Sequence, residues 1–454
     1  MAKKKQIELT IEEKLQNALV PKEEQPYKIP SNWCWLYSNF VVDVRDGTHD
    51  TPKYISEGYP LITSKNLKNN NIDFDKVNYI SKEDYEKINL RSKVDIGDVL
   101  FSMIGTIGNP VLIKGQTNYA IKNVALFKDI NLINMTFFRF YLETKFVIDK
   151  MKKEAKGSTQ KFVSLKYLRN FPICYPSLEE QQRIVNRIES LFAKLDRAKE
   201  LIENTLTQFE QNKMAILHKA FTGELTAKWR KENNIDLSSW QEKTIDELCT
   251  SLKYGTSKKS KPEGSVVVLR MGNLQNGEID WSNLMYTDDK DDIEKYLLKK
   301  GDVLFNRTNS PELVGKTSIY RGEYPAIYAG YLIKLDYGKD IIGEYLNYMM
   351  NSTKAKHYCY TVKTDGVSQS NINAKKIGAF EIPVPTIEEQ QEIVNILDKL
   401  LAKYNKIKNL EQQLEKIELL KKAILAKAFR GELGTNNPDE ESAENLLKEI
   451  LAEK

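Results

Sequence analysis

The sequence predicts an α+β protein built twice. Two globular domains with twisted, largely antiparallel β-sheets are each followed by a long helix, and the two helices pair as an antiparallel coiled coil in a pseudo-two-fold repeat. Three observations carry this expectation. The chain of 454 residues repeats itself at a nearly constant offset. Each copy ends in a helical stretch with heptad-like apolar spacing. The rest of each copy is cut into short β-type runs by frequent turn signals.

The repeat is direct. PSLEEQQRIVN at 176–186 returns as PTIEEQQEIVN at 385–395, 209 residues on. ILHKAFTGEL at 216–225 returns as ILAKAFRGEL at 424–433, offset 208, and IGDVLF at 96–101 as KGDVLF at 300–305, offset 204. PLITSKNLKNNNID at 60–73 is echoed by VVLRMGNLQNGEID at 267–280, and Ser31-Asn32-Trp33 by Ser238-Ser239-Trp240, both at offset 207. So many islands in one order exclude chance. A solenoid repeat runs only about 20–50 residues, so each copy is a domain-sized unit. Two similar domains on one chain suit a ligand with two-fold character, or two identical partners.

In chain order, residues 1–26 form an N-terminal segment whose IEEKLQNAL at 11–19 reads as an amphipathic helix. Residues 27–176 are the first globular domain, with β-type runs such as Pro60-Leu61-Ile62 and Asp98-Val99-Leu100-Phe101 and a helical stretch over 136–151. Residues 177–238 hold the first long helix and a linker. Ser177-x-x-Glu180 fits a capping box, in which the Glu reaches back to the cap. Behind it Ile184, Ile188, Leu191, Leu195, Ala198 and Ile202 step by 4, 3, 4, 3 and 4, a coiled-coil seam. Residues 239–385 are the second globular domain, with runs at 266–270 and 302–305, a turn at Asn276-Gly277 and a helical stretch over 342–358. Residues 386–434 are the second long helix. It opens on Thr386-x-x-Glu389 and carries Ile393, Leu397, Leu400, Tyr404, Ile407, Leu410, Leu414, Ile417 and Ile424, with a stammer near Ile407. Gly223 and Gly431 end the two helices. At 1.5 Å per residue, about 45 residues make roughly 65–70 Å of helix. Residues 435–454 form a C-terminal helical tail. Both terminal helices are expected near the first long helix, closing the object into a ring-like arrangement.

Composition narrows the function classes. Hydrophobic residues make up 41% and charged residues 29%, a globular balance. A net charge of +5 excludes a polycation but leaves room for local basic patches. Three histidines and four scattered cysteines without a CxxC pair speak against a metal site and for reduced thiols in the cytoplasm. MAKKKQIELTIEE has no apolar core behind its charge, so it does not read as a signal peptide, and no apolar stretch suits a membrane. SPELVGKT at 310–317 lacks the first glycine of a phosphate loop and runs into a strand pattern rather than a helix. GxSxG, HExxH and the motifs of a self-contained adenine methyltransferase are absent. A catalytic constellation is therefore not expected. A single-chain enzyme and a coiled-coil scaffold with no DNA role are the competing readings.

The chemistry that is present is polar and basic. Residues 27–176 hold 22 Lys+Arg against 15 Asp+Glu, net +7, while residues 240–385 hold 20 against 19, net +1. The excess in the first domain suits phosphate contacts, which give affinity without sequence information. Equivalent frameworks also carry unlike loops. Ser102, Met103 and Thr106 follow the first GDVLF, and Asn306, Arg307, Thr308 and Asn309 follow the second. The contrast recurs at Thr48-His49 against Thr256-Ser257, with Lys258 adjoining, and at Ser64-Lys65-Asn66 against Arg270 and Met271-Gly272-Asn273. It recurs again at Thr159-Gln160-Lys161 against Ser368-Gln369-Ser370. Asn and Arg are the side chains that bond adenine and guanine edges bidentately in the major groove. These residues are the DNA-contact candidates. Ile184, Ile188, Leu191, Leu195, Ile202, Ile393, Leu397, Leu400, Ile407 and Leu414 are the candidates for the spacer helices and for partner binding.

The doubled PxxEEQQxIV, the two GDVLF strands, the KAFxGEL helix ends and LTAKWRKEN at 225–233 resemble the specificity subunit of type I restriction-modification systems. The resemblance covers nearly the whole chain, and its implications are as follows. Each target-recognition domain reads one half of a bipartite, asymmetric site on double-stranded DNA, and the paired helices set the unread spacer. Two methyltransferase subunits, which use S-adenosylmethionine to methylate adenine, dock on the helices. Restriction subunits that use ATP and magnesium complete the complex. This chain would bind none of these cofactors and perform none of the chemistry.

Overall fold

The computed structural model describes residues 10–157, 161–405 and 408–453. They form two compact units: Met1–Leu201 with Gln412–Lys454, and Ile202–Glu411.

The first unit holds a four-stranded antiparallel sheet in the order Val42–Asp46, Val124–Asp129, Val99–Ser102, Gly108–Leu112. Beside it, Asn78–Ile80, Tyr59–Ile62 and Ala120–Ile121 form a three-stranded sheet, the last two strands parallel. Cys34–Tyr37 pairs with Pro172–Tyr175, so the start and end of the domain meet. The second unit repeats this order: Cys249–Tyr254, Leu332–Tyr337, Val303–Asn306, Thr317–Ile319, then Tyr286–Thr287, Val266–Leu269 and Ala326–Tyr328, again with one parallel pair. Gln241–Thr244 closes on Glu381–Val384. Each domain is thus largely antiparallel, as expected, but is divided among several small sheets with one parallel pair in each. Parallel pairing needs a long crossover. The 57 residues between Ile62 and Ala120 supply it, and hydrophobic periodicity does not report it.

The GDVLF strands are continuous apolar runs because both faces are covered. Val99 and Phe101 enter one core, while Leu100 enters another with Val111, Val124 and Leu126. Val303 and Phe305 split from Leu304 in the same way. The helical stretches expected over 136–151 and 342–358 each break in two. Met135–Glu143 is followed by Lys145–Glu154, and Gly343–Met350 by Thr353–Val362. The breaks fall at Thr144 and Ser352, whose hydroxyls cap the next helix by accepting from the Val147 and Ala355 amides.

The first long helix is continuous, Leu178–Phe221. The second is seen as Ile387–Asn405 and Lys408–Ala428, with Ile407 and its expected stammer outside the described residues. Within the first unit the helices pair antiparallel: Lys421 meets Asp196 at 2.5 Å and Lys199 meets Glu418 at 3.5 Å. Within the second unit Leu217, Ala220 and Phe221 share a core with Ile393, Val394 and Leu397. Gly223 and Gly431 end the helices at φ +80° and +74°, the left-handed geometry that glycine adopts without cost.

The expected capping boxes form only by half. Ser177 and Thr386 accept from the Glu180 and Glu389 amides, at 3.2 and 3.4 Å. The two carboxylates do not turn back to the cap. Glu389 is buried and accepts from Thr226 Oγ1 (2.6 Å), Arg230 Nη1 (2.6 Å) and Trp240 Nε1 (2.9 Å). Glu180 accepts from Thr435 Oγ1 (2.7 Å) and Arg183 Nε (2.8 Å), and Arg183 reaches Glu440 at 2.6 Å. Burial pushes the Glu180 carboxyl above the usual carboxylate range, against the hydrogen bonds from Thr435 and Arg183. The neighbouring glutamines hold the globular domains. Gln181 accepts from the Asn134 amide and donates to Pro176 O. Gln390 accepts from the Ile342 amide and donates to Pro385 O and Asp340 O. In EEQQ, then, the second Glu grips the segment that follows the other helix, and the first Gln grips the helix start of its own domain.

The terminal helices Ile11–Ala18 and Ala443–Glu453 pack together in the first unit, with Leu15, Ala18, Ala443 and Leu447 in its main core. The Ala443 amide donates to Asn32 O, and Trp33 Nε1 to Asn436 Oδ1. The cysteines are unpaired. Burial pushes the Cys34, Cys249 and Cys359 thiols up to about 12. Among the described residues no helix is long and apolar enough to cross a membrane.

Arg230→Ala removes the cation from a buried pair and strands the Glu389 carboxylate. We expect it to lower the stability of the second unit by about 3–5 kcal/mol. Glu389→Gln, which removes charge but keeps shape, should cost less. Denaturant unfolding of the two variants checks this, and equal losses would show that the charge pair is not what matters.

Candidate nucleic-acid interface

In the first domain the candidates fall into two groups. Thr48 docks by its backbone, donating to Ile121 O and accepting from the Asn123 amide. Gly47 lets this happen: a Cβ there would lie 2.3 Å from Ile121 O. His49 is exposed, with Nε2 2.9 Å from Asp46 Oδ2 and Nδ1 2.9 Å from Asn123 Oδ1. Ser64 Oγ donates to Asn123 O at 3.3 Å. Thr48, His49 and Ser64 therefore meet at Asn123, a residue in left-handed geometry (φ +55°) that spacing alone did not single out. Lys65 is exposed beside them.

The second group is the loop after GDVLF. Gly105 N donates to Lys161 O and Val163 N to Met103 O, which places Thr106 and Lys161 on adjoining exposed backbone. Gln160 lies outside the described residues. Lys65 and Lys161 make no ion pair among the described residues.

Several candidates are buried and turned to structural work. Ser102 and Met103 lie inside, so the first GDVLF loop presents Thr106 alone of the three. Asn66 is buried: its Oδ1 accepts from Thr63 N and Oγ1, and its Nδ2 donates to Asp73 O and Lys76 O. Asn273 does the same, accepting from Arg270 N and donating to Asp280 O and Ser282 O. Both amides are spent on holding a turn, which corrects their reading as base contacts. Thr256 is buried against Asp292 and accepts from Lys258 N. Asn306 is fully buried, with Oδ1 accepting from Thr308 N. Ser370 is buried with its hydroxyl on Asp365. A strand residue that shares the apolar face of its neighbours is drawn inside whatever its polarity.

In the second domain the three candidate cations, Lys258, Arg270 and Arg307, are engaged within the domain. Lys258 pairs with Asp289 at 2.7 Å and Asp292 at 3.5 Å. Arg270 donates to Asn283 O at 2.8 Å. Arg307 donates to Asn371 Oδ1 at 3.0 Å and lies over the Tyr254 ring at 4.9 Å. The loop after its GDVLF becomes a strand: Thr308–Asn309 pairs with Ser370–Asn371, which pairs in turn with Thr364–Asp365. Thr308, Asn309, Ser368, Gln369 and Ser370 thus belong to one three-stranded sheet and its hairpin tip, with Ser368 and Gln369 exposed. Asn371 and Tyr254 were missed. The dipeptide Asp365-Gly366, a hairpin turn signal, was the clue available. SPELVGKT ends in the strand Thr317–Ile319, with no helix facing a phosphate.

Among the helix candidates, Ile184, Ile188, Ile393 and Leu397 are fully buried in the cores of their own units, so they have no surface left for a partner subunit. Leu191, Leu195, Ile202, Leu400 and Leu414 are half-buried, and Ile407 is outside the described residues. Among the described residues no group of three His, Cys, Asp or Glu could hold a metal ion.

The family described as type I restriction modification DNA specificity domain matches residues 47–208 and again 238–419. The EcoKI type I restriction enzyme specificity subunit of Escherichia coli (strain K12) is 26% identical over 455 aligned residues, covering 94% of this chain and 96% of its own. The StySPI specificity subunit of Salmonella potsdam is 24% identical with the same coverage. A solved chain from a study of assembly and conformational transition of the type I R-M system superposes with a TM-score of 0.68 at 19% identity, over 90% of this chain and 100% of that one. At that identity the likeness is one of fold.

Lys65→Ala and Lys161→Ala should weaken binding to cognate and random duplex alike. Each should reduce the slope of log affinity against log salt by about 1. Ser102→Ala should leave the slope unchanged. Titrations of the assembled complex at several salt concentrations check this, and base-specific losses from either lysine would overturn the assignment.

Proposed function

The chain belongs to the type I restriction-modification DNA specificity family, both copies of its repeat matching, and from that premise we propose how the work is divided along it. The protein is the specificity subunit of a type I restriction-modification complex and recognises the DNA target for that complex. We infer that residues 27–176 and 239–385 are separate target-recognition domains, each reading one half of a bipartite, asymmetric site. The observation that carries this reading is one sheet topology, built twice, with unlike structure after its two GDVLF strands: a loop with exposed Thr106, bonded through Gly105 to the Lys161 backbone, in one copy, and the strand Thr308–Asn309 paired with the hairpin strand Ser370–Asn371 in the other. Like frameworks hold the two domains to one docking geometry, and unlike loops let them read different bases.

The long helices act as the ruler between half-sites. Half-sites one turn of DNA apart lie roughly 34–36 Å from each other, within reach of helices of this length. Two methyltransferase subunits and the restriction subunits are the proposed protein partners, matched to the two-fold repeat. S-adenosylmethionine would be held by the former, and ATP and magnesium by the latter.

The charge difference divides labour further. The first domain, at +7 and with exposed Lys65 and Lys161, supplies phosphate contacts. The second, at +1 and with Lys258, Arg270 and Arg307 engaged within the domain, contributes more through base edges.

Exchanging 27–176 for the matching domain of a relative should change one half-site of the methylated sequence and leave the other intact. Methylome mapping of cells carrying the whole system reads the outcome, and a change in both halves or neither would sink the modular reading. Inserting whole helical turns after Leu201 and, in parallel, after Leu410 should lengthen the unread spacer with both half-sites constant. An unchanged spacer would remove the ruler.

A further inference from the structure

The hairpin of the second domain has the properties of a groove-reading element. Thr364–Asp365 pairs antiparallel with Ser370–Asn371, and Gly366 N donates to Gln369 O at 2.8 Å, closing a tip of Val367 and Ser368. The ribbon is docked on one side by Thr308–Asn309 and by the Ile372 amide on Arg307 O. Its polar side chains are tied to one another and to the neighbouring strand, with Thr364 and Asp365 still exposed. Ser370 Oγ donates to Asp365, Asn371 Nδ2 donates to Thr308 Oγ1 at 2.8 Å, and Arg307 donates to Asn371 Oδ1. Lys363 donates to both oxygens of Asp365, at 2.5 and 2.7 Å. With Ser370 it holds that carboxyl below the usual carboxylate range. Lys376 is spent on Val362 O and Thr364 Oγ1, while Lys375 beside it is exposed.

Outward stand Thr364, the Lys363-paired carboxylate of Asp365 and a short apolar and amide tip. Val367 is 111% exposed, and Ser368 and Gln369 are exposed beside it. Val367 is not buried in the fold, so its methyl groups are accessible to a ligand. Phosphate is not the ligand the tip itself suits, because Val367, Ser368 and Gln369 carry no positive charge. Base edges are the right one. A two-stranded ribbon fits the major groove of B-DNA, a thymine offers its methyl to an apolar side chain, and an adenine offers N6 and N7 to a glutamine.

We propose that the hairpin Thr364–Asn371 enters the major groove of the half-site read by the second domain, where Val367 contacts a thymine methyl and Gln369 an adenine edge. The proposal rests on the assignment of one half-site to each domain. Asp365, Ser370, Asn371 and Arg307 are then positioning residues that hold the ribbon rigid, so that little ordering entropy is lost when it docks.

The test uses the complete complex and a randomised target library, read by adenine methylation. Val367→Ala and Gln369→Ala should each relax one or two neighbouring base pairs of a single half-site, with roughly five- to a hundredfold loss of discrimination there. The other half-site and the spacer should stay as they are. Val367→Thr, which keeps one methyl, should retain most of the preference. An unchanged target with methylation lowered equally at all sites, or a change in the other half-site, would overturn the hairpin assignment. Exchange of 239–385 serves as the parallel arm. If the exchange moves one half-site and the hairpin variants do not, the hairpin proposal fails alone. If the exchange moves neither, the domain assignment itself fails.

Discussion

Each unit is closed around a buried glutamate at the start of a long helix. Glu389 sits between Thr226, Arg230 and Trp240, and Glu180 between Thr435 and Arg183. A carboxylate taken out of water is costly unless every oxygen finds a partner. Here Thr226, Arg230, Trp240 and Thr435 come from the segment beyond the other helix, while Arg183 lies one turn on in the same helix as Glu180. Neither globular domain can therefore complete its own core. Each needs the returning tail of the other repeat, and the residues next in sequence, Gln181 and Gln390, tie the same helix start to the Asn134 and Ile342 amides. One four-residue motif thereby couples domain, helix and returning chain.

This explains why the compact units are discontinuous in sequence. The first joins Met1–Leu201 to Gln412–Lys454, because the end of the second helix and the terminal tail bury Leu425, Ala428, Phe429, Ala443 and Leu447 in the first domain's core. The second takes Leu217, Ala220 and Phe221 from the end of the first helix. The helix ends are thus domain core, and only the middle of each seam keeps the half-buried character of a two-helix pair. Surface for partner subunits must be sought along those middles and on the charged faces, away from Ile184, Ile188, Ile393 and Leu397.

The same logic sorts the loops. Asn66 and Asn273 lie at equivalent places and make equivalent bonds, so they belong to the framework. Thr106 and Lys161 in one copy, and Ser368 and Gln369 in the other, lie outward on the loops that differ between the copies, so they are the candidates for the reading surface. A polar side chain in a turn is ambiguous until its exposure is known, because Asn serves backbone turns and base edges with the same two groups.

Duplication, the helix ends at Gly223 and Gly431, and the two GDVLF strands were legible in the sequence, since they follow from local pattern: identical islands at one offset, glycine after an apolar seam, apolar runs bounded by turns. The amphipathic terminal helices were legible for the same reason. Tertiary structure alone decided the parallel pairing of Tyr59–Ile62 with Ala120–Ile121, the breaks at Thr144 and Ser352, and the burial of Ser102, Thr256 and Asn306. It also decided what the EEQQ glutamates do. Read locally they are helix caps, because a Glu three residues after Ser or Thr can reach back. In the folded chain a guanidinium and hydroxyls from residues brought close only by folding compete for the same oxygens, and in a buried site those charge-assisted bonds outweigh a solvent-exposed cap.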